Sequence, residues 1–198
     1  MANSYHSLCV FCGSADGLKP AYISAADELG REIARRKLRL VYGAGRTGLM
    51  GALARGCLGE GGEVVGVVPL GLESPQLIFT TGLSSLEVVD NIQLRKARMN
   101  ELADAFIAMP GGYGTMDELF EVLTWSQIGL HRKPLGFFNV DGYFDELLAW
   151  IRRAYDDHFI YEEHLQLFVS DSSVSGLLDK LDAYRFPEQI ERWLLRDE

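Results

Sequence analysis

The sequence predicts an α/β protein in which a mostly parallel sheet carries helices on both faces. Short apolar runs alternate regularly with longer amphipathic stretches, which is the order of elements in parallel α/β sheets. With 198 residues, 47% of them hydrophobic, the chain can bury one sizeable core. Many of its 21 glycines fall just after apolar runs, where such folds place binding loops. We therefore expect a single domain over residues 1–198.

The individual elements follow from hydrophobic periodicity. Short runs rich in β-branched and apolar residues predict strands at 7–12, 39–42, 63–68, 86–89, 105–109, 134–139 and 165–169. Longer stretches with apolar residues at helical spacing predict helices at 21–36, 49–60, 91–102, 115–128, 143–156, 173–184 and 187–195.

Three glycine-bearing loops follow predicted strands, at 13–14, 43–45 and 111–114. Parallel sheets bind ligands outside the carboxyl ends of their strands, so these loops are expected to meet at one site. The convergence makes Ser14, Gly43 and Gly45 candidate binding residues.

The segment 110–118, Pro-Gly-Gly-Tyr-Gly-Thr-Met-Asp-Glu, is the strongest single motif. A buried strand stops at Pro110, glycines allow a tight turn, and a helix is predicted to begin at Thr115. Unpaired amides and the positive end of a helix dipole favour a phosphate there. Glu118 lies one turn into the helix, close enough to act on the rest of the ligand. The predicted cradle comprises Gly111, Gly112, Tyr113, Gly114 and Thr115.

Two of these patterns have alternative interpretations. The run 43–48, Gly-Ala-Gly-Arg-Thr-Gly, matches a dinucleotide fingerprint, but no acidic residue ends the next strand to hold a ribose. We interpret it as a nucleotide or phosphate wall, with a plain strand–helix turn as the alternative. Thr115 and Glu118 also fit a capping box, in which the glutamate would bond back to the Thr115 amide. Glu121, one turn further on, is either a second pocket carboxylate or an exposed helix former, and we assign it a supporting role in the pocket.

The helix before this motif carries Arg95 and Lys96. A guanidinium offers a fixed fork of donors for phosphate or carboxylate, so Arg95 is a candidate ligand-binding residue, and Lys96 beside it is a second candidate. Composition alone favours a solvated helix face for these cations.

Charge and composition exclude several classes of partner. The net charge of −9 disfavours nucleic acid, and no apolar stretch reaches the length needed to span a bilayer. The polar residues 1–6 are not followed by a signal-peptide core, and three cysteines show no disulfide pattern. We expect a cytoplasmic protein that binds neither nucleic acid nor membrane. Cys9 and Cys12 lie within a strand rather than at a helix N-terminus, so we expect buried, inert thiols and no metal.

The motif 110–118, with Arg95 and Lys96 upstream and the run 43–51 (GAGRTGLMG) earlier, resembles the LOG ("lonely guy") family. The resemblance covers about residues 8–181. It implies a Rossmann-like fold, a homodimer and a metal-free, cofactor-free hydrolysis of cytokinin riboside 5′-monophosphates. The family's catalytic arginine and glutamate correspond to Arg95 and Glu118. Its nucleotide-binding residues correspond to Gly111, Gly112, Gly114 and Thr115.

The expected reaction breaks the bond between a purine base and ribose 5-phosphate. Both an N6-modified adenine nucleotide and plain AMP fit this expectation. The main alternative is a nucleotide or cofactor carrier of the same fold that performs no chemistry. An NAD-dependent oxidoreductase would need the missing ribose-binding acid. A lysine decarboxylase would need a pyridoxal phosphate site, for which no lysine is placed.

Overall fold

A computed structural model describes residues 5–188 and 190 of the chain. Its seven strands form one sheet in the order β4-β3-β2-β1-β5-β6-β7, and each neighbouring pair is parallel. The strands are β1 (Ser7–Phe11), β2 (Arg39–Tyr42), β3 (Val64–Pro69), β4 (Ser85–Val89), β5 (Ala105–Ala108), β6 (Leu135–Phe138) and β7 (Val169–Asp171). The α-helices are α1 (Pro20–Arg35), α2 (Gly48–Gly59), α3 (Ile92–Leu102), α4 (Tyr113–Gln127), α5 (Asp145–Asp156) and α6 (Val174–Ala183).

The strand order reverses direction between β1 and β5. The first four strands succeed one another towards one edge, and the chain then returns to place β5 on the other side of β1. Phe11 at the end of β1 pairs with Ala108 at the end of β5. The loops after these two strands therefore leave the sheet side by side and open a crevice, the usual ligand position in such sheets.

The helices cover both faces of the sheet, as predicted. Successive side chains of a strand point to opposite faces. In β1, Leu8 and Val10 belong to one apolar cluster, together with residues of α1, α2 and α6. Cys9 and Phe11 belong to a second cluster, together with residues of α3, α4 and α5. The core thus consists of two layers separated by the sheet.

All three cysteines are free and buried, as expected. Burial raises the pKa of the Cys9 and Cys12 thiols well above the ordinary range, and it raises that of Cys57 to about 11. These thiols stay protonated at neutral pH, which disfavours nucleophilic or metal-binding roles.

The prediction of a strand at 165–169 is wrong. Residues Glu162–Gln166 form a 3₁₀ turn, and the strand β7 begins only at Val169, which pairs with Gly136. The partly buried apolar side chains of Leu165, in this 3₁₀ turn, and of Phe168, after it, pack against the core. Their hydrophobic pattern therefore reflects burial rather than a strand. The helix predicted at 187–195 lies almost wholly outside the described residues.

Within the described part of the chain, no helix is long and apolar enough to cross a membrane.

Candidate active site

A pocket of about 360 Å³ opens at the carboxyl ends of β1, β2 and β5. It lies at the point where the strand order reverses, and all three predicted glycine loops reach it or its immediate surroundings. Its lining residues are Val10, Cys12, Gly13, Ser14, Gly43, Met50, Arg95, Gly112, Tyr113, Gly114, Thr115 and Glu118.

Hydrogen bonds hold the loops of the pocket together. The Gly13 amide donates to the Pro110 carbonyl at 3.0 Å, which joins the loops after β1 and β5. The Met50 amide donates to the Gly13 carbonyl at 3.2 Å, so the start of α2 is bound to the same loop. The hydroxyl of Thr47 donates to the Ser14 carbonyl at 3.0 Å. These bonds connect the loops of the pocket wall directly to one another.

The helix α4 begins at Tyr113, two residues earlier than predicted, and Gly112 is its N-cap residue. A glycine has no side chain to accept hydrogen bonds from the first helical amides, and no side-chain cap is present. These amides belong to residues that line the pocket, so an anion there can accept from them. The capping-box interpretation of Thr115 and Glu118 is wrong, because Thr115 lies inside the helix and Glu118 bonds elsewhere.

Glu118 pairs with Arg95, which reaches across from α3. The Arg95 Nη1 atom lies 2.8 Å from Glu118 Oε1, and the Arg95 Nε donates to the Val67 carbonyl at 3.0 Å. The two side chains retain only 13% and 10% of their exposure. The pair is therefore fixed in position, with its partly accessible atoms at the pocket.

Gly43 provides the space for this guanidinium. A Cβ atom at Gly43 would lie 1.9 Å from Arg95 Nη2, far inside van der Waals contact. The glycine after β2 is therefore required by the position of Arg95, whatever else it contributes as a wall for the ligand.

Burial raises the pKa of Glu118 above the ordinary value of 4.5. The charge and hydrogen bond of Arg95 oppose this shift but do not cancel it. Desolvation disfavours the carboxylate form, and the adjacent cation restores part of its stability. A carboxyl group with a raised pKa, at the edge of a pocket and beside a fixed cation, is typical of a functional site.

Other predicted binding residues lie beside the pocket rather than on its lining. Lys96 pairs with Asp117 at 3.0 Å and with Glu121 at 3.0 Å, which forms a second ionic connection between α3 and α4. Gly45 bridges to Ile78. Gly111 packs against Thr115, with its carbonyl directed to another loop.

Four lining residues were not among the candidates from the sequence: Val10, Cys12, Gly13 and Met50. Val10 lies near the end of β1 and Cys12 directly after it, and both side chains belong to the same apolar cluster. Met50 follows the glycine that opens α2, and its sulfur would lie 2.9 Å from a Cβ at Gly45. Gly13 lies within a predicted glycine loop and Cys12 directly before it, which was the available signal, whereas Met50 lies inside the predicted helix at 49–60.

A larger cavity of about 500 Å³ lies at the opposite edge of the sheet, near the amino ends of the strands. It is lined by charged residues of both signs, including Lys37 and Asp104. Asp104 already accepts hydrogen bonds from the Ser7 hydroxyl at 2.9 Å and from the backbone amides of His6 and Ser7. The smaller pocket combines open helical amides with a buried ion pair and is therefore the better candidate site.

The fold and the pocket define a Rossmann-like α/β protein in which an uncapped helix N-terminus lies beside a buried carboxylate–guanidinium pair. A family model described as "Possible lysine decarboxylase" matches residues 50–181. The cytokinin riboside 5′-monophosphate phosphoribohydrolase LOG7 of Arabidopsis thaliana is 44% identical over 196 residues, covering 98% of this chain and 89% of that protein. The enzyme of the same activity named LOG from Oryza sativa subsp. japonica is 43% identical over 180 residues, covering 91% and 74%. The chain belongs to the LOG family, which confirms the resemblance.

Solved structures also show the fold. The molybdenum cofactor binding protein from the phototrophic bacterium Rippkaea orientalis superposes with a TM-score of 0.67 at 19% identity, covering 90% of this chain and 96% of that one. At this identity the likeness concerns the architecture alone. Among the described residues that line the pocket there is no lysine, the residue that pyridoxal phosphate chemistry requires.

Proposed function

We propose that the protein hydrolyses the N-glycosidic bond of a purine nucleoside 5′-monophosphate of the cytokinin type, with AMP as a second substrate. The products are the free base and ribose 5-phosphate. The observation that carries this proposal is the Arg95–Glu118 pair standing beside the open amino end of α4 in one pocket. The names of relatives that match over most of their length support it.

The phosphate is assigned to the amino end of α4. Free amides and the helix dipole stabilise a negative charge there. The phosphate is remote from the bond that breaks, so its binding energy serves to position the ribose. We assign this contact to Gly112, Gly114 and Thr115, with Ser14 on the facing loop.

Glu118 is assigned to the sugar. Loss of the base leaves an oxocarbenium-like ribose, and a carboxylate beside the anomeric carbon stabilises that positive charge. The same group can orient the attacking water or hold the ribose hydroxyls. An arginine guanidinium stays protonated throughout the working pH range, so it is a poor proton donor. Arg95 instead fixes the Glu118 carboxylate through the 2.8 Å contact and stabilises charge on the departing base.

We also propose that the protein acts in the cytoplasm as a homodimer, as family membership implies. Leu119 and Val122, two apolar residues of α4, are buried in the core of the single chain and are therefore unavailable to a partner. Sedimentation equilibrium of the purified protein tests the dimer directly.

The experiment that tests the function is incubation of the protein with isopentenyl-AMP, AMP and the matching nucleosides, with chromatographic detection of free base and ribose 5-phosphate. We expect release of base from the monophosphates at a kcat/KM at least about a hundredfold above that of the nucleosides. Binding of the monophosphates without any product would instead favour the carrier. Equal turnover of adenosine and AMP would contradict the assigned phosphate site.

A further inference from the structure

Tyr143 contacts the phosphate-binding loop from outside the pocket. It follows the 3₁₀ turn Val140–Gly142, which comes directly after β6. Its hydroxyl donates a hydrogen bond to the Gly111 carbonyl, across 32 positions of sequence. Gly112, the next residue after that carbonyl, lines the pocket, whereas Tyr143 does not.

The contact with the Gly111 carbonyl also fixes the direction of the Gly112 N–H. The Gly111 carbonyl and the Gly112 amide belong to the same peptide, and the described chain has no cis peptide bond. In a planar trans peptide the C=O and N–H vectors point in opposite directions. A donor that holds the Gly111 oxygen therefore directs the Gly112 N–H to the other side of the peptide. With glycine at both positions, the peptide has few other restraints on its rotation.

The turn that presents Tyr143 is itself rigid. Asp141 and Gly142 adopt left-handed backbone conformations, with φ of 53° and 71°. The Asn139 side chain accepts from the Phe144 amide at 2.7 Å and donates to Asp145 at 2.7 Å, which closes the turn on both sides of Tyr143. These contacts set the position of the tyrosine independently of the glycine loop.

The start of α1 supports the tyrosine from the other side. The Tyr22 ring of α1 packs edge-on against the Tyr143 ring, with centroids 5.7 Å apart. Lys19, just before α1, forms an ion pair with Asp141 of the turn. Tyr143 thus connects its own turn to the loop after β5 and to the first turn of α1.

We propose that Tyr143 is a positioning residue for the 5′-phosphate: its hydroxyl fixes the Gly111–Gly112 peptide so that the Gly112 amide is aimed at the phosphate. This inference rests on the proposed function for the identity of the ligand. Tyr143 does not line the pocket, so we expect its effect to be confined to substrates that carry the phosphate.

The test uses Tyr143→Phe, which removes the hydroxyl and keeps the ring that packs on Tyr22. The control is Tyr155→Phe on α5, where the ring lies under Arg152 and the hydroxyl makes no hydrogen bond within the described residues. Kinetics with AMP and adenosine are measured for the wild type and both variants. Binding of ribose 5-phosphate by titration calorimetry and the thermal midpoint are measured alongside.

For Tyr143→Phe we expect KM for AMP and Kd for ribose 5-phosphate to rise about five- to tenfold, the usual effect of one lost hydrogen bond. The kcat for AMP and the kcat/KM for adenosine should stay within about twofold, as should every parameter of Tyr155→Phe. Unchanged affinity for ribose 5-phosphate, or an equal loss for AMP and adenosine, would overturn the positioning role.

The calorimetric measurement separates the two proposals. A wild type that binds ribose 5-phosphate but releases no base would refute the hydrolase function while still testing Tyr143 through the Kd of the variant. A wild type that does neither would overturn both.

Discussion

Arg95 Nη1 lies 2.8 Å from Glu118 Oε1, and this contact joins two helices on the same face of the sheet through a pair of largely buried charges. Removing one member of such a pair leaves the other charge without compensation, which is more costly than losing an exposed ion pair. The pair therefore constrains both the stability of the α3–α4 contact and the chemistry at the pocket.

Replacing Glu118 by Gln should abolish most of the turnover while preserving the fold. The amide keeps the size of the side chain and an oxygen that can accept from Arg95, but it carries no negative charge for the developing cation. We expect kcat for AMP to fall by about two to four orders of magnitude, in the usual range for a positioned acid–base group. The measurement is single-turnover release of base.

Glu101→Gln is the matched control for that variant. Glu101 is a largely exposed carboxylate on α3 that pairs with Arg98 at 3.0 Å, far from the pocket lining. Its substitution should change kcat by less than about twofold, since exposed pairs contribute little. A Glu118→Gln enzyme with wild-type turnover would remove Glu118 from the mechanism.

Replacing Gly43 by Ala should displace Arg95. The new Cβ would overlap Arg95 Nη2, and the guanidinium cannot simply swing away without losing its bonds to Val67 and Glu118. We expect a loss of kcat of roughly a hundredfold and a fall in unfolding free energy of about 1–3 kcal/mol. Enzyme assays and urea denaturation measure the two effects.

Gly59→Ala serves as the control substitution. A Cβ at Gly59, the last residue of α2, meets nothing within 4 Å. Activity should be unchanged, and stability should be equal or slightly raised because alanine favours the helix. If Gly43→Ala behaved in the same way, Arg95 would not depend on that glycine.

Titration of Glu118 should make the free energy of unfolding depend on pH. Burial raises the pKa of this carboxyl in the folded state above its ordinary value of 4.5. Between the ordinary and the raised pKa the folded state holds a proton that the unfolded state has lost. The contribution of Glu118 to the free energy of unfolding is therefore fully present below about pH 4.5, and it is lost as the pH rises through the raised pKa.

The difference in unfolding free energy between wild type and Glu118→Gln isolates this effect. We expect the wild type to lose stability relative to the variant as the pH increases across that window. A difference that grows in favour of the wild type with rising pH would mean that Arg95 outweighs desolvation and lowers the pKa.

The fold could be predicted from the sequence because its signals are local. Runs such as 105–109 are apolar and bounded by glycine or proline, and the order of strands and helices dictates a parallel sheet. The strand predicted at 165–169 is the exception, because hydrophobic pattern alone led to a wrong prediction there. Leu165 and Phe168 pack against the core, yet burial alone does not distinguish a strand from an irregular segment.

The glycine loops predicted most of the pocket, and the family resemblance added Arg95 and Glu118, but not the contact between them. The contact of Arg95 with Glu118 joins residues from different helices, and neither helix periodicity nor composition specifies such a long-range pairing. For the same reason Lys96 and Glu121 were assigned to the ligand, whereas the structure pairs them with each other. The capping box failed because α4 begins at Tyr113, so Glu118 is too far into the helix to reach its first amide.

A crystal structure of the Glu118→Gln variant with bound AMP tests the central claim most directly. We expect the phosphate within hydrogen-bonding distance of the amides of Gly112, Gly114 and Thr115, with the anomeric carbon of the ribose facing the side chain at position 118. A phosphate bound away from the amino end of α4, or a ribose turned away from that side chain, would contradict it.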